Sequence, residues 1–364
     1  MSGKMDGQNY APTSKIEVKK VVEKGEFLFS VIGLDHGHIY AMVNGLVEAG
    51  AELKAVYDKN PEKISEFLSH YPNCSVAGSE DEIINDDTLK LVVSAIRPDL
   101  RATLGLKVLQ SGKHYFCDKP GMLTFDDLDK VKSACKSTGL KYMIYFGERI
   151  HVEAAVYVQK MIDDGLLGDI VSVNILAPHR LNKPTRPDWF FESDRNGGIL
   201  TDIGSHQFEQ LLSYTHSDSA RVDYSQVGNY ENQDKPNFYD FGEAVVTTSS
   251  GASCFVRMDW FTPSGLRAWG DGRVFIVGTK GTVEIRKYVN VGQEDDSADN
   301  IYFVDSSGEH HIKASGTVGF PFFGDFILDC LDGKDRAMSE DHVLESARIA
   351  LEAQELAKEV TWKN

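Results

Sequence analysis

Three side chains, Asp202, His206 and Lys119, have the types and positions to handle a proton or a developing negative charge, and a fourth, Asp58, to bind a cofactor. Asp202 and His206 lie in Gly197-Gly198-Ile199-Leu200-Thr201-Asp202-Ile203-Gly204-Ser205-His206. If the segment is helical from about Ile199, the two side chains stack on one face. A carboxylate beside an imidazole stabilises the imidazolium, so the pair can take a proton near neutral pH. An ordinary Asp–His pair on a helix surface has the same spacing, and the pair alone leaves both readings open. Lys119, in Asp118-Lys119-Pro120, follows the apolar run His114 to Cys117. At the carboxyl end of a buried strand, a lysine can bond a substrate hydroxyl and hold negative charge developing on its oxygen. The other reading is a solvated lysine in a surface turn. Asp58 ends the run Leu53 to Tyr57. Its distance from Gly33 is that at which an acid bonds the ribose hydroxyls of a dinucleotide. An acid there repels a 2′-phosphate, which favours NAD over NADP, although Lys59 is adjacent.

A dinucleotide also needs a glycine turn at a helix N-terminus to take its pyrophosphate. The turn Gly33-Leu34-Asp35-His36-Gly37-His38 is degenerate. Counted as G-x-G-x-x-G from Gly33, it has Asp35 and His38 where the later glycines belong, and Gly37 falls one place early. Asp35 would repel a pyrophosphate unless its side chain turns away or caps the helix. Ile96-Arg97-Pro98 would run along the same carboxyl edge beside the cofactor, or form a plain strand-to-helix turn.

Glu148-Arg149, Pro178-His179-Arg180 and Trp189 could add hydroxyl-binding groups and an aromatic floor to a substrate pocket, though each is as readily structural. His36, His38, His179 and His206 match no zinc-ligand spacing, so no metal is expected. His310 and His311 read as part of a solvated strand, and Trp260 and Trp269 as core or interface residues.

The elements that must position these groups fall into two patterns. Phe27–Gly33, Leu53–Tyr57, Leu91–Ile96, His114–Cys117 and Lys141–Tyr145 read as buried strands, with helical segments between most of them. That βαβα alternation predicts a parallel, doubly wound sheet. After a helix from His151 to Asp164 the pattern changes. Strands are predicted at Val171–Ala177, Arg221–Val227, Ala244–Thr248, Cys254–Phe261, Val274–Val277, Thr282–Lys287 and Ile301–Val304, mostly without helices between them. Turn signals at Ser250-Gly251, Lys280-Gly281 and Ser307-Gly308 predict an antiparallel sheet. Phe322–Leu331 and Asp341–Val360 read as closing helices, and Gly292–Asp299 as an exposed acidic loop. The expected organisation is a polar, loosely attached leader at 1–25, a nucleotide domain at 26–147 and a substrate and oligomerisation domain at 148–364.

The 364 residues suffice for two cores. A formal charge of −17 argues against a nucleic-acid partner. No apolar run is long enough to cross a membrane, and the N-terminus lacks the apolar core of a secretory signal. The five scattered cysteines form no C-x-x-C pair and fit reduced thiols in a cytoplasmic protein.

Taken in order, these features resemble the Gfo/Idh/MocA family of oxidoreductases over about residues 27–360. The resemblance rests on the first βα turn, Asp58, Asp118-Lys119-Pro120, and Gly197-Gly198 through Asp202 and His206. The family usually has Glu-Lys-Pro where this chain has Asp-Lys-Pro, and more glycines in its turn. The resemblance implies an N-terminal Rossmann domain and a C-terminal α/β domain with an open, mostly antiparallel sheet that supports homodimers or homotetramers. It implies hydride transfer between a nicotinamide and a secondary alcohol of a sugar, polyol or cyclitol. Under it, His206 is the base, Asp202 orients and charge-stabilises it, and Lys119 binds the reacting oxygen. Some relatives oxidise a sugar transiently, eliminate a substituent and reduce the ring again. A third reading is a non-catalytic ligand sensor on the same fold.

Overall fold

The computed structural model describes residue 7, residues 10–293 and residues 298–361. The acidic loop expected at Gly292–Asp299 and the leader expected at 1–25 lie partly outside these. The chain forms two compact units. Of the described residues, one comprises 10–145 and 321–344, the other 7, 146–293, 298–320 and 345–361.

In the first unit the order is β1 (Leu28–Leu34), α1 (His38–Glu48), β2 (Glu52–Tyr57), α2 (Pro61–His70), β3 (Ser75–Val76), α3 (Glu80–Ile84), β4 (Leu91–Ala95), α4 (Pro98–Gln110), β5 (His114–Asp118), α5 (Phe125–Thr138) and β6 (Tyr142–Tyr145). The strands form a six-stranded sheet ordered β3-β2-β1-β4-β5-β6. Every pairing in it is parallel. The order reverses between β1 and β4, the switch point outside which ligands bind in such sheets. β4 and β5 are buried throughout, which is why they read as continuous apolar runs. Helix starts follow local chemistry. Asn60 caps α2 ahead of Pro61 by accepting from the Glu62 N–H at 2.8 Å, and the Thr124 hydroxyl caps α5 by accepting from the Asp127 N–H at 3.1 Å.

The second unit contains α6 (Gly147–Ile150), α7 (Glu153–Asp163), β7 (Ile170–Pro178), α8 (Ser193–Asn196), α9 (Ile199–Asp202), α10 (Gly204–Tyr214), β8 (Ala220–Gly228), β9 (Phe241–Thr248), β10 (Ser253–Asp259), β11 (Arg273–Gly278), β12 (Gly281–Arg286), β13 (Asn300–Asp305) and β14 (Gly308–Lys313). Two helices follow, α11 (Phe322–Asp332) and α12 (Glu340–Glu355), then β15 (Lys358–Val360). The nine-stranded sheet is ordered β14-β13-β12-β11-β7-β10-β9-β8-β15. It is antiparallel except at β7–β10 and β8–β15. Val173, Ile175, Ala244, Val246, Val256 and Ile276 are inward-facing residues of its central strands and make its core. His310 and His311 stand exposed on β14.

Three sequence expectations need correction. The closing helix predicted to reach Val360 stops at Glu355, and residues 358–360 instead pair with β8. α11 belongs to the nucleotide unit, because its Phe322 and Phe326 rings lie 6.0 and 5.2 Å from Phe116 of β5. Residues 10–25 are tied to that unit too. Val21 N–H bonds the Ala49 carbonyl at 2.9 Å, Ser14 N–H reaches the Glu48 carboxylate at 3.3 Å, and Val22 is buried. β3 and α3 were not legible in the sequence, being too short to show a period. Among the described residues no helix is long and apolar enough to cross a membrane.

Candidate functional site

At the end of β1, Gly33 has φ +86°, and a Cβ there would meet the Ile96 Cβ at 2.6 Å. The turn therefore needs glycine both for its conformation and for the close passage of the β4–α4 segment. Gly37 has an ordinary helical φ of −67° and needs no such freedom. Asp35 turns away from the turn's main chain. One carboxylate oxygen sits 2.5 Å from Lys63 Nζ and the other accepts the Arg97 N–H at 2.8 Å. Asp58 accepts the Leu34 N–H through one oxygen and the Asn60 N–H through the other, each at 2.7 Å. Each oxygen keeps a second lone pair. Ile96 packs on Gly33, and Pro98 opens α4.

At the end of β5, Asp118 is fully buried and gathers the other expected cofactor residues. His38 Nδ1 lies 2.8 Å from one oxygen, which also accepts the Lys119 N–H at 2.8 Å. His36 Nδ1 and Arg101 Nη2 lie 3.2 and 3.1 Å from the other. Burial alone would raise the Asp118 carboxyl. The His38 and His36 imidazoles and the Arg101 guanidinium outweigh it and hold the group well below the usual carboxylate range. Burial, with His38 beside it, pushes His36 well down against the opposing pull of Asp118. Arg101 also donates to the carbonyls of Ile96, Lys119 and Pro120. The Lys119 main chain is therefore held on both sides. His36, His38 and Asp118 bring three ligand-type atoms within 4.8 Å of one another, a grouping that the sequence spacing did not reveal. The guanidinium on the same carboxylate disfavours a cation there.

In the second unit the paired glycines set the course of the chain. Gly197 and Gly198 have φ +89° and +76°, and a Cβ on Gly198 would strike the Gln354 amide at 2.5 Å. The Asn196 side-chain oxygen Oδ1 takes the Gly198 N–H at 2.6 Å, and Gln354 Oε1 takes the Leu200 N–H at 3.0 Å. α9 then ends at Asp202 and α10 begins at Gly204, with Ile203 between them in helical conformation. Asp202 and His206 thus stand one turn apart on two abutting short helices, not on one. His206 is 2% exposed, whereas Asp202 is only half-buried. α10 is buried from Gly204 through Leu212, so its polar side chains face protein on every side.

Around His206 lies a polar layer that the sequence reading only touched. Glu148 sits 3.4 Å from His179 Nε2 and accepts from Lys287 Nζ at 3.1 Å. Lys287 also donates to Gln210 at 2.7 Å. His179 Nδ1 lies 3.0 Å from the Ala177 carbonyl, and its ring packs 4.6 Å from Trp269. Burial would raise Glu148, but Lys287, His206 and His179 together hold it far below the usual range. Burial lowers Lys287, partly offset by Glu148. Lys287 shares the strand parity of inward-facing Val283 and Ile285, a signal available in the sequence.

The two arginines expected beside substrate have other partners. Arg149 is paired side-on with the fully buried Glu209, Nε lying 2.8 and 3.0 Å from its two oxygens. Arg180 donates to the carbonyls of Leu266 and Ala268 at 2.6 and 2.8 Å, and so pins that loop. Trp189 lies on the half-buried turn before α8, 6.3 Å from the Phe190 ring. Trp260 and Trp269 are buried, as expected of core residues. Arg101, Lys63, Glu209 and Gln210 were missed. Each has a partner distant in sequence, Asp118 for Arg101, Asp35 for Lys63, Arg149 for Glu209 and Lys287 for Gln210.

Known proteins agree with this architecture. Residues 27–146 match the model described as "Oxidoreductase family, NAD-binding Rossmann fold", and residues 155–284 match the GFO/IDH/MocA C-terminal domain. A protein from Erwinia carotovora atroseptica SCRI1043, solved as an oxidoreductase of unstated substrate, is 39% identical over 92% of this chain and 100% of its own, with a TM-score of 0.89. The 2,7-anhydro-N-acetylneuraminate hydratase of Escherichia coli K12 is 26% identical over 65% of this chain and 61% of its own length. The scyllo-inositol 2-dehydrogenase (NADP(+)) of Bacillus subtilis 168 is 25% identical over 41% of each. The chain thus spans less than two thirds of the length of these curated relatives. With a Rossmann unit, a mixed-sheet unit and both family models matched in order, the chain belongs to the Gfo/Idh/MocA family of oxidoreductases.

Proposed function

We propose that this protein transfers hydride between NAD and a secondary alcohol of a sugar, polyol or cyclitol. The observation that carries the reading is Lys119, anchored at the carboxyl end of β5, on the same edge of the parallel sheet as the Gly33 turn. The turn fits a dinucleotide. Gly33 lets the β4–α4 segment pass close beside the turn, and the Asp35 carboxylate, which would repel a pyrophosphate, is engaged by Lys63 and the Arg97 N–H. Asp58 would take the ribose hydroxyls with its remaining lone pairs and disfavour a 2′-phosphate, so NAD is preferred over NADP.

When bound, the nicotinamide supplies the hydride acceptor or donor. In this reading Lys119 binds the reacting oxygen, His206 takes the hydroxyl proton during oxidation, and Asp202 orients it. His179 and Trp189 serve the substrate directly. Arg149 and Arg180 act by holding Glu209 and the 263–268 loop. His206→Ala is expected to lower turnover by about 10²–10⁴-fold with NAD binding unchanged. A screen of sugars, inositols and glycosides, followed by nicotinamide absorbance, supplies the assay. Undiminished turnover in the variant would remove His206 from its role.

The hydratase among the relatives favours a second reading, since hydration involves no net redox change. Oxidation would then be transient, and a glycoside would be altered with no net release of NADH. Stoichiometric NADH release decides against it. A non-catalytic sensor, suggested by the degenerate turn, loses support now that Asp35 is engaged, and measurable turnover would exclude it.

We also propose a homodimer or homotetramer formed through the sheet of the second unit. Its outward face carries one cross-strand row, Tyr224–Val245–Phe255–Asn174–Phe275. Tyr224 and Val245 are each 37% exposed there. The cysteines are all free, in keeping with a reducing, cytoplasmic setting. Recovery in a secreted fraction would overturn that placement.

A further inference from the structure

The reading of His206 as a base leaves unexplained why a lysine–glutamate pair is buried beside it. Lys287 is 1% exposed, Glu148 5% and Gln210 0%. Such a pair adds little net stability, because desolvation of both charges cancels much of their attraction. It does fix charge and direction. Lys287 Nζ holds one Glu148 oxygen at 3.1 Å, which leaves the other facing His179 Nε2 at 3.4 Å. The same lysine holds Gln210, whose amide nitrogen donates to the His206 carbonyl and to Gln207, each at 2.9 Å. Hydrogen bonds therefore tie α6, the end of β12 and the main chain of α10 at His206 together, and the His179 imidazole of the β7 end lies in ion-pair range of the same carboxylate.

We propose that Glu148 is a positioning residue for the proton chemistry of His206, held by Lys287 and Gln210 and shared with His179. The proposal rests on His206 being the proton-handling group. As the substrate O–H bond breaks, its proton passes to the His206 ring, and the buried carboxylate compensates the new positive charge. Asp202, half-buried, acts through a more screened path, whereas Glu148 acts through a medium of low dielectric. The charged groups facing Glu148 are Lys287, His206 and His179. The Arg149–Glu209 pair lies next to them, and Glu209 also acts on Lys287.

Histidine-labelled full-length protein, followed by NMR through a pH titration, tests this without any substrate. His206→Gln and His179→Gln assign the two signals. In Glu148→Gln the His206 titration midpoint is expected to fall by about one pH unit, and in Glu148→Asp to recover at least half of that. In the unsubstituted protein the His206 midpoint is expected to stay put between about 0.05 and 1 M salt, since buried charges are poorly screened. An unmoved midpoint in Glu148→Gln overturns the proposal, as does a midpoint that follows salt in the unsubstituted chain, which needs no variant to fold. On a sugar found by screening, Glu148→Gln should lower kcat more than it raises KM and move the acid limb of the kcat/KM profile to lower pH. A moved midpoint with kcat intact also overturns the proposal. If no sugar is turned over, the proposed function fails while the titration still judges Glu148.

Discussion

At Gly33 two separate constraints meet in one residue. Its φ of +86° is costly for any residue with a Cβ, and the Ile96 Cβ stands 2.6 Å from where that atom would be. Gly33→Ala is expected to lose about 2–4 kcal/mol of stability, read from the urea midpoint. NAD binding should fall with it, because β1 and the start of α4 must part. Asp35 shows the reverse case. A carboxylate in a pyrophosphate turn looks disabling in the sequence, yet Lys63 lies 2.5 Å from it, one helix away. Arg101 likewise joins Asp118, the Lys119 carbonyl and the Pro120 carbonyl. Nothing in its local sequence, an arginine in the first turn of α4 between Leu100 and Ala102, announces this.

At the scale of elements, single side chains hold whole segments in place. The Glu153 carboxylate, at the start of α7, accepts four main-chain N–H groups from Gly316, Thr317, Val318 and Gly319, at 2.5, 3.1, 3.1 and 2.8 Å. Gly316 and Gly319 have positive φ, so the segment curls around the acid. Glu153→Ala leaves these donors to find water and is expected to lower stability by about 2–4 kcal/mol in denaturant unfolding. Glu153→Gln, which keeps an acceptor, should lose less. The same logic applies at Gly197-Gly198, where Asn196 and Gln354 fix the entry to α9 and thereby the placement of His206 on α10.

At the scale of the molecule, two properties follow from burial. His114 is pushed down to about 4 by burial, and its Nδ1 accepts the Lys141 N–H at 3.0 Å. A folded value below the ordinary 6.5 means that the unfolded chain binds the proton more readily. The contribution is complete above pH 6.5 and is lost as pH falls toward 4, on the order of 3 kcal/mol in all. His36, also held low, adds in the same direction. Urea midpoints at pH 7 and about 4.5 should differ accordingly, and His114→Gln should flatten the difference. The second is an expectation for the assembly we propose. The row through Phe255 on the outer sheet face implies that Phe255→Glu yields smaller particles by light scattering. A monomer in the unsubstituted protein would remove the basis of that expectation.

The sequence by itself determined the two-part architecture. Buried parallel strands show as continuous apolar runs, half-buried strands show as alternation, and both signals are local. It also marked Gly33, Asp58, Lys119, Asp202 and His206 as candidate site residues, and these lie within the two segments, 27–146 and 155–284, that the family models match. Only the tertiary structure decided which charges meet. It turned Asp35 toward Lys63, gathered His36, His38 and Arg101 on Asp118, and buried Glu148 against Lys287. Glu148 and Lys287 are 139 residues apart. Electrostatic partners act through space in a low dielectric, and no periodicity along the chain records them.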